Sequence, residues 1–308
     1  MAESLTKNFN HLKIHTQYSI CEGAIKIDEL KDLCKDNKIK SLALSDTINL
    51  CGALEFAEKI SKAGTQPIIG TQINIKYEDT IGLLPLFSLN EIGYKRIVEL
   101  SSLSFLKNSG ETEPYINIDE LLKNNEGVSV FSGSITGLFG MLFNKGKHTE
   151  INDLYLKLKS KFQNRFYIEV QRHGDQNEKS FEIFNLEISS KLKIPLIATN
   201  EVFYINKDMH EAHDALICIK NKTYINEKNR LRYSDQHYLK NDNEIKELFF
   251  DLPEALENNY NFPIRCNFKP SFSKPILPNI SSEKGGNADE ILKEDSLKGL
   301  KEKFIKFF

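Results

Sequence analysis

Up to about residue 200 the chain repeats one pattern, a short apolar or β-branched run followed by a stretch with apolar residues at helical spacing. His11–His15 (HLKIH) reads as a strand and Ile27–Cys34 as a helix. Ser41–Leu44 and Ala53–Lys62 repeat the pair. Pro67–Ile75, with Gly70 inside it, is a third strand; Leu83–Leu89 is a fourth, with a helix over Tyr94–Leu103. Gly127–Phe131 and Phe166–Val170 are further strands, Phe181–Leu192 is a helix, and Ile194–Ala198 is the strand after it. This alternation constrains the chain more than any composition figure. It predicts parallel β/α units, because parallel neighbours need a crossover long enough to hold a helix. An open doubly wound sheet and a closed barrel satisfy it equally.

Beyond that point the pattern changes. Met209–Lys220 reads as a helix, and Thr223–Tyr238 as polar and irregular. Asn243–Phe250 and Pro253–Asn259 read as short helices, the second with Pro in its first turn. Residues 268–287 carry Pro270, Pro275, Pro278, Ser281, Ser282, Gly285 and Gly286, which is linker composition. Helical spacing returns over Asp289–Phe308 through Ile291, Leu292, Leu297, Leu300 and Phe304. The expected organisation is a domain over 6–267, a linker over 268–288, and the start of another domain over 289–308.

Composition narrows the function classes. With 41 Lys+Arg against 43 Asp+Glu the formal net charge is -2, which argues against a chain that simply coats nucleic acid. No apolar run approaches the roughly 18 residues of a membrane span. The opening MAESLTKNF lacks the apolar stretch of a secretory signal. Cys21, Cys34, Cys51, Cys218 and Cys266 are odd in number and contain no C-x-x-C pair. They read as free thiols in a reducing cytoplasm, not as a disulfide framework or a zinc site. Neither a G-x-x-x-x-G-K-[ST] loop nor a G-x-S-x-G elbow is present.

In parallel β/α folds chemistry gathers at the carboxyl ends of the strands. Those positions hold His11, His15, Thr16 and Ser19, then Ser45 and Asp46, then Gln72. Ser132-Gly133-Ser134 follows, then Glu169 with Gln171, Arg172 and His173, then Thr199, Asn200 and Glu201; His213 and Asp214 come on the next helix. Imidazoles and carboxylates converging there are natural ligands for Zn, Mn or Fe. Taken singly, each reads more simply as a hydrogen-bonded partner. The lysine-rich last helix reads as a solvated face.

These residues carry a resemblance. HLKIHTQYS (11–19), ALSDTINLCGALEF (43–56), PIIGTQINI (67–75), FYIEVQRHGDQNE (166–178) and IATNEVFY (197–204) occur in the order found in one family. The chain resembles the N-terminal polymerase-and-histidinol-phosphatase (PHP) domain of bacterial DNA polymerase III alpha subunits. The run from Ala212 to Asn259 supports the polymerase subfamily, since plain PHP phosphatases do not continue so. The resemblance implies an α/β fold, a distorted seven-stranded β/α barrel of parallel strands with the site at their carboxyl ends. It implies a His, Asp, Glu and Cys cluster for up to three metal ions that makes a hydroxide nucleophile for phosphate-ester cleavage. It also implies that 289–308 begins a polymerase palm whose carboxylates, with Mg, lie outside this chain. The expected partners are the rest of the alpha subunit, the proofreading exonuclease subunit and, through the parent protein, DNA, in a cytoplasmic setting without a membrane.

The sequence departs from that family at its ligand positions. The first motif, usually His-Leu-His-x-His, has Lys13 in the middle and keeps His15. The Thr-Asp-His step is Ser45-Asp46-Thr47, Gly-x-Glu has become Gly70-Thr71-Gln72, and Ser-Gly-Cys has become Ser132-Gly133-Ser134. The Asn-Asp-x-His step ends in Phe203. The expected remnants are His15, Asp46 and His173, with Glu201 as a substitute carboxylate. Lys13 puts an ammonium where a divalent ion belongs, Phe203 has no donor atom, and Thr47, Gln72 and Ser134 are neutral. Three ligands suffice for at most one weakly held Zn or Mn, not for a cluster. The expectation is an empty polar pocket in which Lys13 pairs with Asp46 or Glu201, and no catalytic residue in these 308. Two other readings compete. One is a metal-dependent phosphoesterase or 3′–5′ exonuclease using His15, Asp46 and His173. The other is a free-standing histidinol-phosphatase-like enzyme, which residues 223–308 argue against.

Overall fold

The computed structural model describes residues 8–107, 113–275 and 287–307. The chain forms one unit ending at Ser271 and a second beginning at Phe272. The boundary falls inside the stretch expected as a linker, of which 276–286 lie outside the described residues. Among its described residues the second unit contains one helix, Ala288–Phe307, on which Leu292, Leu297, Leu300 and Ile305 are exposed.

In the first unit the strands are β1 (Lys13–Ile14), β2 (Ser41–Thr47), β3 (Gln66–Tyr77), β4 (Thr80–Ser88), β5 (Ile116–Asn117), β6 (Val128–Phe131), β7 (Phe166–Val170), β8 (Leu196–Ala198) and β9 (Glu201–Val202). The helices are α1 (Ile27–Asp36), α2 (Ala53–Lys62), α3 (Glu91–Leu106), α4 (Ile118–Leu122), α5 (Leu138–Asn144), α6 (His148–Phe162), α7 (Glu178–Leu192), α8 (His210–Asn221), α9 (Asp242–Leu248) and α10 (Pro253–Asn261). The α5–α6 pair, which the sequence reading passed over, forms the crossover from β6 to β7. Strand β1 is shorter than expected, but pairing extends either side of it: Ala43 N–H donates to His11 O and His15 N–H to Val202 O, both at 2.9 Å.

The sheet runs β8-β7-β6-β4-β3-β2-β1-β9, with β5 pairing β3. Its two end strands are separated in sequence only by Thr199 and Asn200. So short a link spans on the order of 10 Å, so the sheet must curl until its ends meet. The expected barrel is therefore the fold. Contrary to the all-parallel barrel that the resemblance implies, β4 is antiparallel to both β3 and β6. The cause is local. Only Glu78 and Asp79 join β3 to β4, with Glu78 at φ 53°, and a link that short permits a hairpin and no crossover.

One apolar cluster draws Ala43, Ile68, Phe87, Phe131, Tyr167 and Ile197 from β2, β3, β4, β6, β7 and β8. A cluster fed from around the ring is the barrel interior. Phe262 joins it, with ring centroids 5.6 Å from Phe87 and 5.0 Å from Phe131. Gly70 makes room for this plug: a Cβ there would lie 2.5 Å from the Phe87 ring. The apolar faces of α1 and α2 pack outside β1–β3 through Leu30, Cys34, Phe56 and Ile60.

No backbone ladder joins β8 to β9 among the described residues. Side chains span that seam. Asn259 of α10 accepts from Asn10 N–H at 2.8 Å and donates to Asn10 O at 2.9 Å and Ala198 O at 3.0 Å. This clamp holds the chain's approach to β1 beside the end of β8.

Candidate functional site

Strand β1 delivers Lys13 into the barrel, fully buried. Its Nζ lies 3.1 Å from Glu201 Oε1 and 3.4 Å from Glu169 Oε1. The expected pairing with Glu201 is present, and Glu169 is a second partner. Burial works against the Lys13 charge, but Glu169 and Glu201 outweigh it and raise its pKa above the usual lysine value. The same balance holds Glu201 well below the usual carboxylate range: burial opposes ionisation, and Lys13 and His15 overcome it.

Glu201 Oε1 is a hub. His15 Nε2 stands 3.0 Å from it, and Gln72 Nε2 donates to it at 2.7 Å. His15 Nδ1 lies 3.2 Å from Thr47 Oγ1 and 3.3 Å from Ser19 Oγ. Phe203 packs its ring 4.6 Å from the His15 ring. Glu169 Oε1 accepts from Gln171 Nε2 at 2.8 Å and from Thr199 Oγ1, while its Oε2 has no partner.

Asp46 takes no part in the Lys13 pair. It accepts from Thr16 N–H at 2.6 Å, Thr16 Oγ1–H at 2.8 Å and Ser19 Oγ–H at 2.8 Å. It thus fastens the loop after β1 to the end of β2. Burial raises its pKa against these donors. Ser134 turns aside, its Oγ 2.9 Å from Thr136 Oγ1. His213 Nε2–H donates to Glu22 O at 2.8 Å, and Asp214 holds Arg230 through two contacts of 2.6 Å.

His173 stands apart from His15. Its Nε2 accepts the Glu201 backbone N–H at 3.2 Å, and its ring stacks on His237 at 4.0 Å and 4°. Burial first, and His237 second, push the His173 pKa well down. His173, Asp175 and His237 are the one group of three His, Cys, Asp or Glu among the described residues with ligand atoms within 4.8 Å of one another. Their lone pairs are not free. With Nε2 of His173 accepting, its Nδ1 carries hydrogen and faces Glu178 Oε1 at 3.4 Å. His237 Nδ1 faces Glu201 O at 3.2 Å and its Nε2 faces Asp175 Oδ2 at 3.0 Å, both acceptors. The lone pairs of parallel rings also do not converge on a point.

The residues present therefore do not fit a multinuclear metal cluster. An ammonium stands between the two carboxylates that would hold an ion, Phe203 offers no donor, and Thr47, Gln72 and Ser134 supply only neutral oxygens and nitrogens. Of the remnants, His15 and Asp46 meet through Ser19 Oγ, and His173 reaches Glu201 only through its backbone N–H. Sequence reasoning missed Glu169 as a partner, although a lone carboxylate in the buried run FYIEV was a readable signal. His237 gave none, sitting in a polar stretch that only the fold brings to the barrel mouth.

The PHP domain family model matches residues 11–173. The DNA polymerase III subunit alpha of Caulobacter vibrioides is 33% identical over 314 residues, covering 98% of this chain and 27% of that protein. That of Rickettsia conorii is 36% identical over 296 residues, covering 95% and 25%. That of Borreliella burgdorferi is 35% identical over 312 residues, covering 97% and 27%. The chain thus spans about a quarter of the length of these relatives.

Proposed function

The chain belongs to the PHP domain family, and on that premise we propose that it is the PHP module of a replicative DNA polymerase III alpha subunit, serving template-directed DNA synthesis in the cytoplasm. Identity at this level over nearly the whole chain to alpha subunits supports the polymerase setting. Nucleotidyl transfer, with its Mg, belongs to parts of the subunit beyond these residues.

Within that setting the module is non-catalytic. It stabilises the polymerase and docks the proofreading exonuclease subunit. The observation that carries this reading is the buried Lys13 ammonium between Glu169 and Glu201. A cation fixed on the backbone neutralises the carboxylates, so neither is left to hold Zn or Mn and activate water.

The test has two arms. Purified protein is dialysed against Zn and Mn, assayed for bound metal, and offered a 3′-terminated single strand and a phosphomonoester. The expected result is no stoichiometric metal and no hydrolysis. Metal at one equivalent with activity lost in His15→Ala would establish the phosphoesterase reading instead. In the second arm the exonuclease subunit of the same organism is co-expressed, and a stable complex on size exclusion is expected.

A further inference from the structure

The chain has six arginines, and four of them hold a carboxylate: Arg96 with Glu99, Arg172 with Glu182 and Asp251, and Arg230 and Arg232 with Asp214. Among the described residues Arg165 and Arg265 do not, and these two stand together. Arg165 donates to the carbonyl oxygens of Asn125 and Val128 and, at 2.7 Å, to Asn125 Oδ1. Arg265 donates to Asn164 O at 2.6 Å and to Tyr167 Oη. Every one of these acceptors is neutral, so both charges stay uncompensated. Nε and Nη2 of Arg265 make no bond to the protein, and neither is a buried atom, so both are open to a ligand. Burial first and the Arg265 charge second lower the Arg165 pKa, with Glu126 acting the other way. Two guanidiniums held close without an anion repel each other.

The pair belongs to a larger positive face. Asn164, whose carbonyl holds Arg265, also lines a cavity of about 390 Å³ with Lys159, Gln163, Lys193, Ile194 and Pro195. These residues lead into β7 and β8, so the face lies at the amino ends of those strands, away from the carboxyl ends that carry the degenerate metal site. Lys159 and Lys161 stand in the last turn of α6, and Lys191 in that of α7. None of these four lysines has a carboxylate within 4 Å among the described residues. Lys159 donates to Leu192 O and so offsets the carboxyl end of α7. The carboxyl ends of α6 and α7 each bring about half a negative charge, against six cations. The carboxylates that approach are Glu126, felt by Arg165, and Glu254, which shares the neighbouring cavity with Lys193. The face is thus positive on a chain whose net charge is -2.

Charge selects the ligand class. Cations spread over the ends of two helices and over Arg165 and Arg265 suit an extended run of single negative charges better than one compact anion. A guanidinium fork matches a phosphate through two parallel N–H donors, and the free Nε and Nη2 of Arg265 form such a fork. No aromatic ring lines the cavity, so nothing there stacks an unpaired base. We propose that this face holds the phosphate backbone of duplex DNA, with Arg265 gripping one phosphate, Lys193 and Lys159 its neighbours, and no base being read. The choice of DNA among polyanions rests on the polymerase reading; the charge of the face does not.

The test is fluorescence anisotropy of the whole chain with labelled duplexes of about 20 base pairs, at salt from about 50 to 200 mM, where phosphate contacts change affinity most visibly. The logarithm of the binding constant is expected to fall linearly with the logarithm of salt, with a slope of about -3 for three or so phosphates, and equally for two unrelated sequences. Arg265→Gln should weaken binding about tenfold at the lowest salt and flatten the slope by about one. Lys193→Gln should do the same; Lys193 is exposed and has no carboxylate partner among the described residues, so this variant guards against a misfolded first one. Lys95→Gln removes an equal charge from α3, where Lys95 pairs with Glu91, and should change neither quantity. No duplex binding at the lowest salt, or equal weakening by Lys95→Gln, would overturn the proposal. Complete displacement of the duplex by polyglutamate of matched charge would overturn it too, and assign the face to an acidic polypeptide. The exonuclease complex formed by the same preparation reads the polymerase setting separately, so the two failures are distinguishable.

Discussion

Lys13 Nζ and Glu201 Oε1 stand 3.1 Å apart inside the barrel, on the neighbouring strands β1 and β9 whose register pairs the same two residues. Glu169 reaches the same ammonium from β7, which is not hydrogen-bonded to either strand. The ion triad therefore ties β1 and β9 to β7 across the seam that no backbone ladder closes.

Removing the ammonium should be costly. Lys13→Met leaves two buried carboxylates without their cation, and breaking such a group typically costs about 3–5 kcal/mol. Adding Glu169→Gln and Glu201→Gln removes the unpaired charges and is expected to restore most of the loss, since a neutral buried set can match an ionic one. Urea unfolding reads both. A Lys13→Met variant within about 1 kcal/mol of the parent would show that the triad does not hold the seam.

The same geometry predicts a metal response that appears only when the lysine is gone. The parent protein should unfold at the same temperature with chelator, Zn or Mn. In Lys13→Ala the space between Glu169 and Glu201 opens, with His15 Nε2 3.0 Å from Glu201. Two carboxylates and an imidazole are a workable Zn set. Added Zn should raise the variant's unfolding temperature in proportion to the logarithm of its free concentration, as linkage requires. A parent protein stabilised by Zn, or a variant indifferent to it, would contradict the substitution of ammonium for metal.

Glu178 supplies a pH dependence. Burial, its largest cause, raises its pKa from 4.5 to about 7, against the N–H groups of Gly174 and His173 that its Oε2 accepts at 2.7 Å each. A carboxyl with a higher pKa in the fold than in the unfolded chain favours the fold only while protonated. Below about pH 4.5 neither state is ionised and the group has no effect. As pH rises from there to about 7 the cost accumulates, to at most about 3 kcal/mol. Glu178→Gln should therefore raise the unfolding temperature at pH 8 and leave it nearly unchanged at pH 4. An equal shift at both values would mean that ionisation is not the cause.

The barrel was legible in the sequence because alternation of apolar runs and helical spacing is a local signal, and β2, α2, β7 and α7 lie where that signal puts them. The reversal of β4 was not. Its determinant is a two-residue turn at Glu78-Asp79, which carries no Gly, Asn or Pro. At the site, Lys13 was legible as an intruding cation because a single side chain decides its charge. Its choice of Glu201 over Asp46 was not, since Asp46 is taken by Thr16 and Ser19 through loop geometry that spacing does not encode. The stacked His173 and His237 lie far apart in sequence and meet only through the fold.

Arg172 makes the last case, a clamp from the barrel to the helices beyond it. Its guanidinium donates to Glu182 on α7 at 2.6 and 3.0 Å, to Asp251 at 2.6 and 2.9 Å, and to Leu248 O at 2.6 Å. It also lies 5.2 Å from the centroid of the Phe249 ring. Only a planar fork meets two carboxylates and a carbonyl together, so lysine is a poor substitute. Arg172→Ala should cost about 2–3 kcal/mol, the scale of charge-assisted hydrogen bonds to partly buried partners, and Arg172→Lys should recover less than half. The loss should be local. Hydrogen exchange is expected to quicken in α9 and α10, whose junction Arg172 grips, while β2 and β3 on the far side of the sheet keep their protection. Uniform quickening through the barrel would show instead that Arg172 supports the whole unit and not that junction alone.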